Sequence, residues 1–235
     1  MIDFLPAPID LSLPINCVHI WRIGLNQSDR EIEALRATLS SDEVMRADRF
    51  YFPEHRKRFI AGRGSLRAIL GGYLGVEAAR VEFDYEQRGK PLLGGKFAGS
   101  GVNFNLSHSQ DLGLLGVSCD RPIGVDLEYM RPTSDVEGLA QRFFLEREYE
   151  IVRSLVGQQQ QEVFFRYWTC KEAYLKATGD GIAQLEQVEI SLTLTKPAQL
   201  LVSGNWHLLE LIPDENCRAA VVVGGSSCNP QFFQF

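Results

Sequence analysis

Ile123-Gly124-Val125-Asp126-Leu127-Glu128 is the stretch on which the reading of this chain turns. Side chains alternate across a β-strand, so Asp126 and Glu128 share one face while Val125 and Leu127 take the other. One face suits a core and the other carries charge. Two carboxylates side by side repel each other and stay ionised together when a cation lies between them. Oxygen ligands suit a hard ion, Mg2+ or Mn2+. Gly124 lets a ligand or another backbone approach closely. An exposed strand edge with two solvated acids is the plainer alternative.

Downstream, Trp168-Thr169-Cys170-Lys171-Glu172-Ala173-Tyr174-Leu175-Lys176 lies in a long helix expected from about Gln161 to Ala177 and ended by Gly179. Trp168, Glu172 and Lys176 recur at i, i+4 and i+8 and share a face. Glu172 can complete a three-carboxylate metal set with Asp126 and Glu128, and Lys176 would then sit beside the anion that the metal holds. A surface Glu–Lys pair is the alternative. Upstream, Asn103-Phe104-Asn105-Leu106-Ser107-His108-Ser109 turns Asn105, Ser107 and Ser109 to one face as donors, with His108 available to a phosphate. A histidine that only bonds its neighbours is the alternative. Arg88-Gly89-Lys90-Pro91 reads as a turn carrying basic side chains.

Around these stretches, residues 1–16 are Pro-rich and expected to be extended, and Cys17–Ile23 reads as a strand. Ser28–Glu31 and Ser40–Glu43 are capping boxes, the second opening a helix to about Tyr51. Pro53 suits the first turn of a third helix, buried along Phe59, Leu66, Ile69, Leu70 and Tyr73 and ended by Gly71, Gly72 and Gly75. Arg80–Glu86, Asn103–Ser107, Leu112–Ser118 and Ile123–Glu128 read as strands. A helical pattern follows from about Ser134 to Leu155, and Gln158–Gln161 is a loop or a helix start. Val188–Leu194, Gln199–Val202, Trp206–Ile212 and Arg218–Val223 read as strands of an antiparallel sheet. Strand, helices, strands thus occurs twice. The expectation is an α+β fold of two similar halves, residues 1–116 and 117–235, each a small antiparallel sheet with packed helices.

Composition narrows the class. The chain has 235 residues, 45% of them hydrophobic and 23% charged, which are globular values. Its formal net charge of −6 argues against a nucleic-acid binder. The longest purely apolar run, Ala219–Val223, is far short of a membrane span. No Lys or Arg precedes Arg22, and Pro6, Pro8 and Pro14 break the early sequence, so no signal peptide is read and a cytoplasmic protein is expected. Five cysteines without a C-x-x-C spacing read as reduced thiols. The charge is uneven: Arg46, Arg49, Arg56, Lys57, Arg58, Arg63 and Arg67 face only Glu43, Asp48 and Glu54 within one segment. Such a cluster on an acidic chain points to an anion site, with a solvated helix face as the alternative. P-loop, dinucleotide-binding, H-E-x-x-H and G-x-S-x-G patterns are absent.

Four blocks in order, Gly89–Pro91 (G-K-P), Asn105–Ser109 (N-x-S-H-S), Gly124–Glu128 (G-x-D-x-E) and Trp168–Lys176 (W-x-x-K-E-A-x-x-K), resemble the Sfp-type 4′-phosphopantetheinyl transferases. The resemblance implies that family's fold of two pseudo-symmetric halves. It implies an enzyme that moves the 4′-phosphopantetheine arm of coenzyme A to a serine of an apo acyl or peptidyl carrier protein, releasing 3′,5′-ADP. Asp126, Glu128 and Glu172 would hold Mg2+, or Mn2+, on the pyrophosphate. Lys176 would bind the pyrophosphate and the leaving group. Glu172 would activate the carrier serine, directly or through water. Ser107 and His108 would bind coenzyme A, His108 at a phosphate, and Lys90 and Pro91 would flank the adenine and ribose. Arg46 would contact the 3′-phosphate, with Arg58 and Arg63 from the same cluster. A monomer follows from the family. Two departures stand out. Glu43 occupies a position where some relatives carry a second basic residue, and Leu127 cannot supply the metal ligand that some relatives place there, so water is expected in its stead.

A non-catalytic coenzyme A or carrier-protein binding module derived from such an enzyme is the alternative function. It does not need Asp126, Glu128 and Lys176, all of which stand here with their neighbours. An unrelated Mg2+-dependent phosphohydrolase needs only the acids and leaves the Asn105–Ser109 and Gly89–Pro91 blocks without a role.

Overall fold

Two helices of 22 residues organise the chain, and each ends on a glycine in the left-handed conformation, Gly75 (φ 64°) and Gly179 (φ 83°). That φ is strained for any side chain with a Cβ, so glycine stops each helix where it does. The computed structural model describes residues 2–131 and 135–235. The chain divides into two compact units: Asp3–Asp120 joined by Pro230–Phe235, and Arg121–Asn229.

The first unit runs β1 (Leu5–Pro6), β2 (Cys17–Gly24), α1 (Asp29–Arg36), α2 (Ser41–Asp48), α3 (Pro53–Leu74), a 3-10 turn (Ala78–Arg80), β3 (Phe83–Tyr85), β4 (Pro91–Leu93), β5 (Val102–Ser109) and β6 (Leu112–Cys119). Its main sheet, among the described residues, has the order β1-β12-β2-β6-β5, where β12 is the C-terminal strand Asn229–Gln234. β2 and β5 both pair antiparallel with β6. Trp21, Ile23, Leu115, Val117 and Phe233 bury against Leu66, Ile69 and Leu70 of α3.

The second unit repeats the order: β7 (Ile123–Tyr129), α4 (Val136–Phe143), α5 (Glu146–Arg153), α6 (Gly157–Thr178), a 3-10 turn (Ile182–Gln187), the hairpin β8 (Ile190–Ser191) and β9 (Gln199–Leu200), then β10 (Trp206–Leu211) and β11 (Cys217–Gly224). β11 lies between β10 and β7, antiparallel to both. The helix α6 packs on this sheet, with Phe164, Tyr167, Cys170 and Ala173 in one core with Ala220 and Val222. The fold is α+β in two similar halves, as the order of elements implies.

Several boundaries differ from the sequence reading. The helix expected to reach Tyr51 stops at Asp48. Pro53 pushes the residue before it out of helical geometry, and Phe52 is extended (φ −90°, ψ 128°). The pattern expected as one helix to Leu155 is two, broken at Leu145, whose N–H donates to Glu148 Oε2 (3.0 Å) as a new helix start. Its expected start at Ser134 lies outside the described residues. Gln158–Gln161 is the opening of α6. The segment Arg80–Glu86 is strand only over Phe83–Tyr85, because Ala78–Arg80 takes the 3-10 turn. The pairing of β12 beside β2 had no signal strong enough to anticipate. No helix among the described residues is long and apolar enough to cross a membrane.

Candidate active site

On β7 the alternation holds: Val125 and Leu127 are fully buried in the core, and Asp126 stands between them opposite Ala220 of β11. Asp126 is 3% exposed, an unusual place for a carboxylate unless charge meets it. Lys176, in the last turn of α6, donates from Nζ to Asp126 Oδ1 at 2.6 Å. A cation there also complements the negative end of the helix dipole. Glu128, two residues on, is half-buried opposite Arg218.

Gly124 decides how near α6 comes. A Cβ at this position would lie 2.0 Å from the Ala173 carbonyl oxygen and 2.3 Å from the Ala177 nitrogen. The strand and the helix backbone therefore touch at the one residue without a side chain. This notch sets Glu172 and Lys176 of the helix within electrostatic reach of Asp126 of the strand. Of the two uses that glycine allows, close approach of a backbone is the one the fold makes.

Glu172 is the group under strain here. Burial pushes its carboxyl above the ordinary carboxylate range, the charge of Asp126 pushes the same way, and Lys176 opposes both. Its Oε1 is buried and accepts no hydrogen bond from the described residues. Two acids sharing one ammonium, with a carboxylate oxygen left over, form a donor set that suits a hard divalent cation. Among the described residues, no three His, Cys, Asp or Glu side chains are gathered as a ready-made metal cage. Trp168, on the same helical face in the sequence, turns into an aromatic cluster with Phe143, Phe144 and Phe164.

The remaining candidates belong to the other compact unit. Arg46, exposed on α2, stacks its guanidinium 5.3 Å from the centre of the Phe59 ring. Arg58 donates to Asp111 at 2.8 Å. Arg63 is only 9% exposed; it lies 3.3 Å from Glu43 and over the rings of Phe83 and Tyr85, and burial works against its charge. Lys90 and Pro91 stand at the β3–β4 turn, which Gly89 closes with φ 80°. On β5, Asn105 and Ser107 are buried while His108 is exposed on the opposite face. Glu43, the first of the two departures, lies in the interior. It is buried, accepts from the Ser40 N–H (3.0 Å) and pairs with Arg67 at 2.6 Å. The sequence reading missed this role and that of Lys171, which is buried on α6 beside Glu172. The capping spacing Ser40–Glu43 was the only signal for the first.

Two sequence families match adjoining parts of the chain: the 4'-phosphopantetheinyl transferase superfamily over residues 122–221, and 4'-phosphopantetheinyl transferase, N-terminal, over residues 25–119. The chain is 63% identical over 232 residues to the 4'-phosphopantetheinyl transferase HetI of Nostoc sp. (strain PCC 7120 / SAG 25.82 / UTEX 2576), covering 99% of this chain and 98% of that one. It is 38% identical over 192 residues to a putative 4'-phosphopantetheinyl transferase of Synechocystis sp. (strain ATCC 27184 / PCC 6803 / Kazusa), covering 80% and 78%. A solved holo-(acyl-carrier-protein) synthase from Bacillus anthracis str. Ames, in complex with CoA (3',5'-ADP), aligns over 43% of this chain and 93% of its own at 23% identity and a TM-score of 0.36.

Proposed function

The chain belongs to the 4′-phosphopantetheinyl transferase superfamily, and from that membership we propose how its residues divide the work. The protein is an enzyme of this type and transfers phosphopantetheine to carrier proteins. In our reading coenzyme A is the donor, an apo acyl or peptidyl carrier protein the acceptor, and 3′,5′-ADP the other product. The carrier serine oxygen bonds to phosphorus, the bond from phosphorus to the 3′,5′-ADP oxygen breaks, and the serine proton passes to Glu172 or to a water held by it.

The observation that carries this reading is the meeting of Lys176 and Asp126 at 2.6 Å beside a buried Glu172 oxygen that accepts no hydrogen bond from the described residues. Asp126, Glu128 and Glu172 would hold Mg2+ or Mn2+, which when bound on the pyrophosphate supplies neutralisation of charge in phosphoryl transfer. Lys176 orients the pyrophosphate and stabilises the leaving 3′,5′-ADP. Arg46 contacts the 3′-phosphate, supported by Arg58 and Arg63; Lys90 and Pro91 flank the nucleoside, and Ser107 and His108 bind the phosphates. The two halves, residues 1–116 and 117–235, divide coenzyme A recognition from the carboxylate chemistry. Five free thiols suit a reducing, cytoplasmic setting, and we take the protein to act as a monomer.

Intact-protein mass spectrometry of an apo acyl carrier protein, incubated with this protein, coenzyme A and Mg2+ beside an EDTA control, tests the proposal. A gain of one phosphopantetheine, lost with EDTA, is expected. No gain on apo acyl, peptidyl or polyketide carriers, with coenzyme A still bound, would refute it in favour of a binding module.

A further inference from the structure

Lys171 is a fully buried lysine (0% exposed) inside the run that carries Glu172 and Lys176. Its ammonium meets Glu148 Oε2 at 2.7 Å and donates to the carbonyls of Leu185 (3.1 Å) and Val188. Glu148, 1% exposed, is equally occupied: Oε2 accepts from the Leu145 N–H at the start of α5, and Oε1 accepts from the Ile190 N–H of β8 at 2.9 Å. One ion pair thus ties the middle of α6 to the start of α5, the 3-10 turn and the first strand of the hairpin.

The first unit holds the same device. Arg67 stands eight residues before the left-handed Gly75, as Lys171 stands eight before Gly179. Arg67 pairs at 2.6 Å with Glu43, the third residue of α2, as Lys171 pairs with the third residue of α5. Glu43 accepts from the Ser40 N–H, as Glu148 does from Leu145. Arg67 also donates to the carbonyls of Ala78 (3.2 Å) and Val81 (2.8 Å), at the start of the 3-10 turn and just past its end. Yet Ala68 stands in the place of Glu172 and Gly72 in that of Lys176. The clamp therefore exists where no carboxylate chemistry accompanies it.

We propose that Lys171 is a positioning residue for the reaction: paired with Glu148, it fixes the rotation of α6 that presents Glu172 and Lys176 to Asp126, and it takes no part in phosphoryl transfer itself. This rests on the transferase reading above. Successive helix residues are about 100° apart, so a side chain locked on one face sets where its neighbour points. Buried partners that orient the reacting groups commonly matter by about tenfold to a hundredfold.

The test is a double-mutant cycle of Lys171→Met, Glu148→Gln and the pair together, read by kcat, KM for coenzyme A, thermal midpoint, and Mn2+ affinity of the metal-free protein by electron paramagnetic resonance. Lys171→Met leaves Glu148 buried without its cation, whereas the double variant removes both charges. We expect Lys171→Met to lower kcat per folded molecule and Mn2+ affinity by about tenfold to a hundredfold, and the double variant to recover about tenfold. A double variant no better than Lys171→Met would make the ammonium a reacting group and overturn the proposal, as would a folded Lys171→Met with unchanged kcat. Should Lys171→Met not fold, Glu148→Gln decides: an unchanged kcat and Mn2+ affinity overturns the proposal. The Mn2+ arm needs no turnover, so a wild type without transfer but with this coupling would sink the transferase reading and support the clamp. A wild type that neither transfers nor binds Mn2+ leaves nothing to position and overturns both.

Discussion

Gly124→Ala adds one methyl group at the contact between β7 and α6, and its effect follows from the geometry. The new Cβ would sit 2.0 Å from the Ala173 oxygen, 2.3 Å from the Ala177 nitrogen and 2.8 Å from the Lys176 carbonyl carbon. Ordinary contact begins near 3.4 Å, so strand and helix must part by roughly 1.4 Å, the difference between 3.4 and 2.0. All three neighbours are backbone atoms, which no rotamer change can move. The strand is held on its other side by the ladder to β11, where Gly124 pairs with Val222. The helix therefore moves, and the Lys176–Asp126 contact of 2.6 Å opens beyond hydrogen-bond distance. A displacement of about 1 Å among reacting groups costs about a hundredfold in rate, or about 2.7 kcal/mol of barrier. Overpacking of this kind costs about 2 kcal/mol of stability, equivalent to a fall of about 4–8 °C in Tm for a chain of this size. Turnover on an apo acyl carrier protein, followed by intact mass, and thermal unfolding by circular dichroism read the two effects. Gly99→Ala is the control, since a Cβ there meets nothing within 4 Å. A Gly124→Ala protein with wild-type Tm and turnover within about threefold of wild type would refute the notch as the device that sets the site.

Glu172→Gln keeps the shape of the side chain and removes its charge; turnover should fall by about a hundredfold or more with no loss of Tm, and a rate within tenfold of wild type would remove Glu172 from the proton path. Arg46→Ala should weaken binding of coenzyme A by about tenfold and leave 3′-dephospho-coenzyme A unaffected by calorimetry; equal effects on both ligands would show that Arg46 does not read the 3′-phosphate. His19, buried under Phe233 with Nδ1 2.6 Å from the Tyr73 hydroxyl, is held by burial at a pKa of about 4 against an ordinary 6.5. The folded protein thus binds fewer protons than the unfolded chain between those values, so stability is full above 6.5 and is lost as the pH falls toward 4. At pH 5 the loss amounts to about 2 kcal/mol. Urea unfolding at pH 7.5 and 5 should show it in wild type and not in His19→Gln, and identical pH dependence in both would exclude His19 as the cause.

The parts of this protein legible in its sequence are those governed by local periodicity. The alternation in Ile123–Glu128 placed Val125 and Leu127 in the core and Asp126 against charge, as the strand does. The four-residue spacing of Glu172 and Lys176 put both within reach of one strand residue. What escaped the sequence depends on pairings distant along the chain. β12 lies beside β2, more than 200 residues away, and no local pattern encodes that neighbour. Trp168 shares a helical face with Glu172 by spacing alone, yet Phe143, Phe144 and Phe164 draw its ring into a core that only the tertiary fold assembles. Glu43 counts in the sequence only as an acid opposing the basic cluster, because no local pattern reveals that its side chain is buried. Buried against Arg67 and a helix start, it belongs to the interior.

That last misreading bears on how the chemistry is built. In both units a long helix carries a basic residue that turns inward to a carboxylate at the start of a shorter helix. In α3 its next neighbour is an alanine; in α6 it is Glu172. Adjacent residues on a helix face directions about 100° apart, so one helix can hold a scaffold charge on one side and a reacting charge on another. The K-E pair within Trp168–Lys176 therefore joins two different physical tasks at consecutive positions. A buried ion pair adds little stability over an apolar pair of the same size, which makes fixed orientation the stronger account of why such a clamp lies beside Glu172. The other half keeps the clamp without the carboxylate. Orientation of the long helix is thus a property of the scaffold, and the reaction depends on which side chains stand next to the clamp.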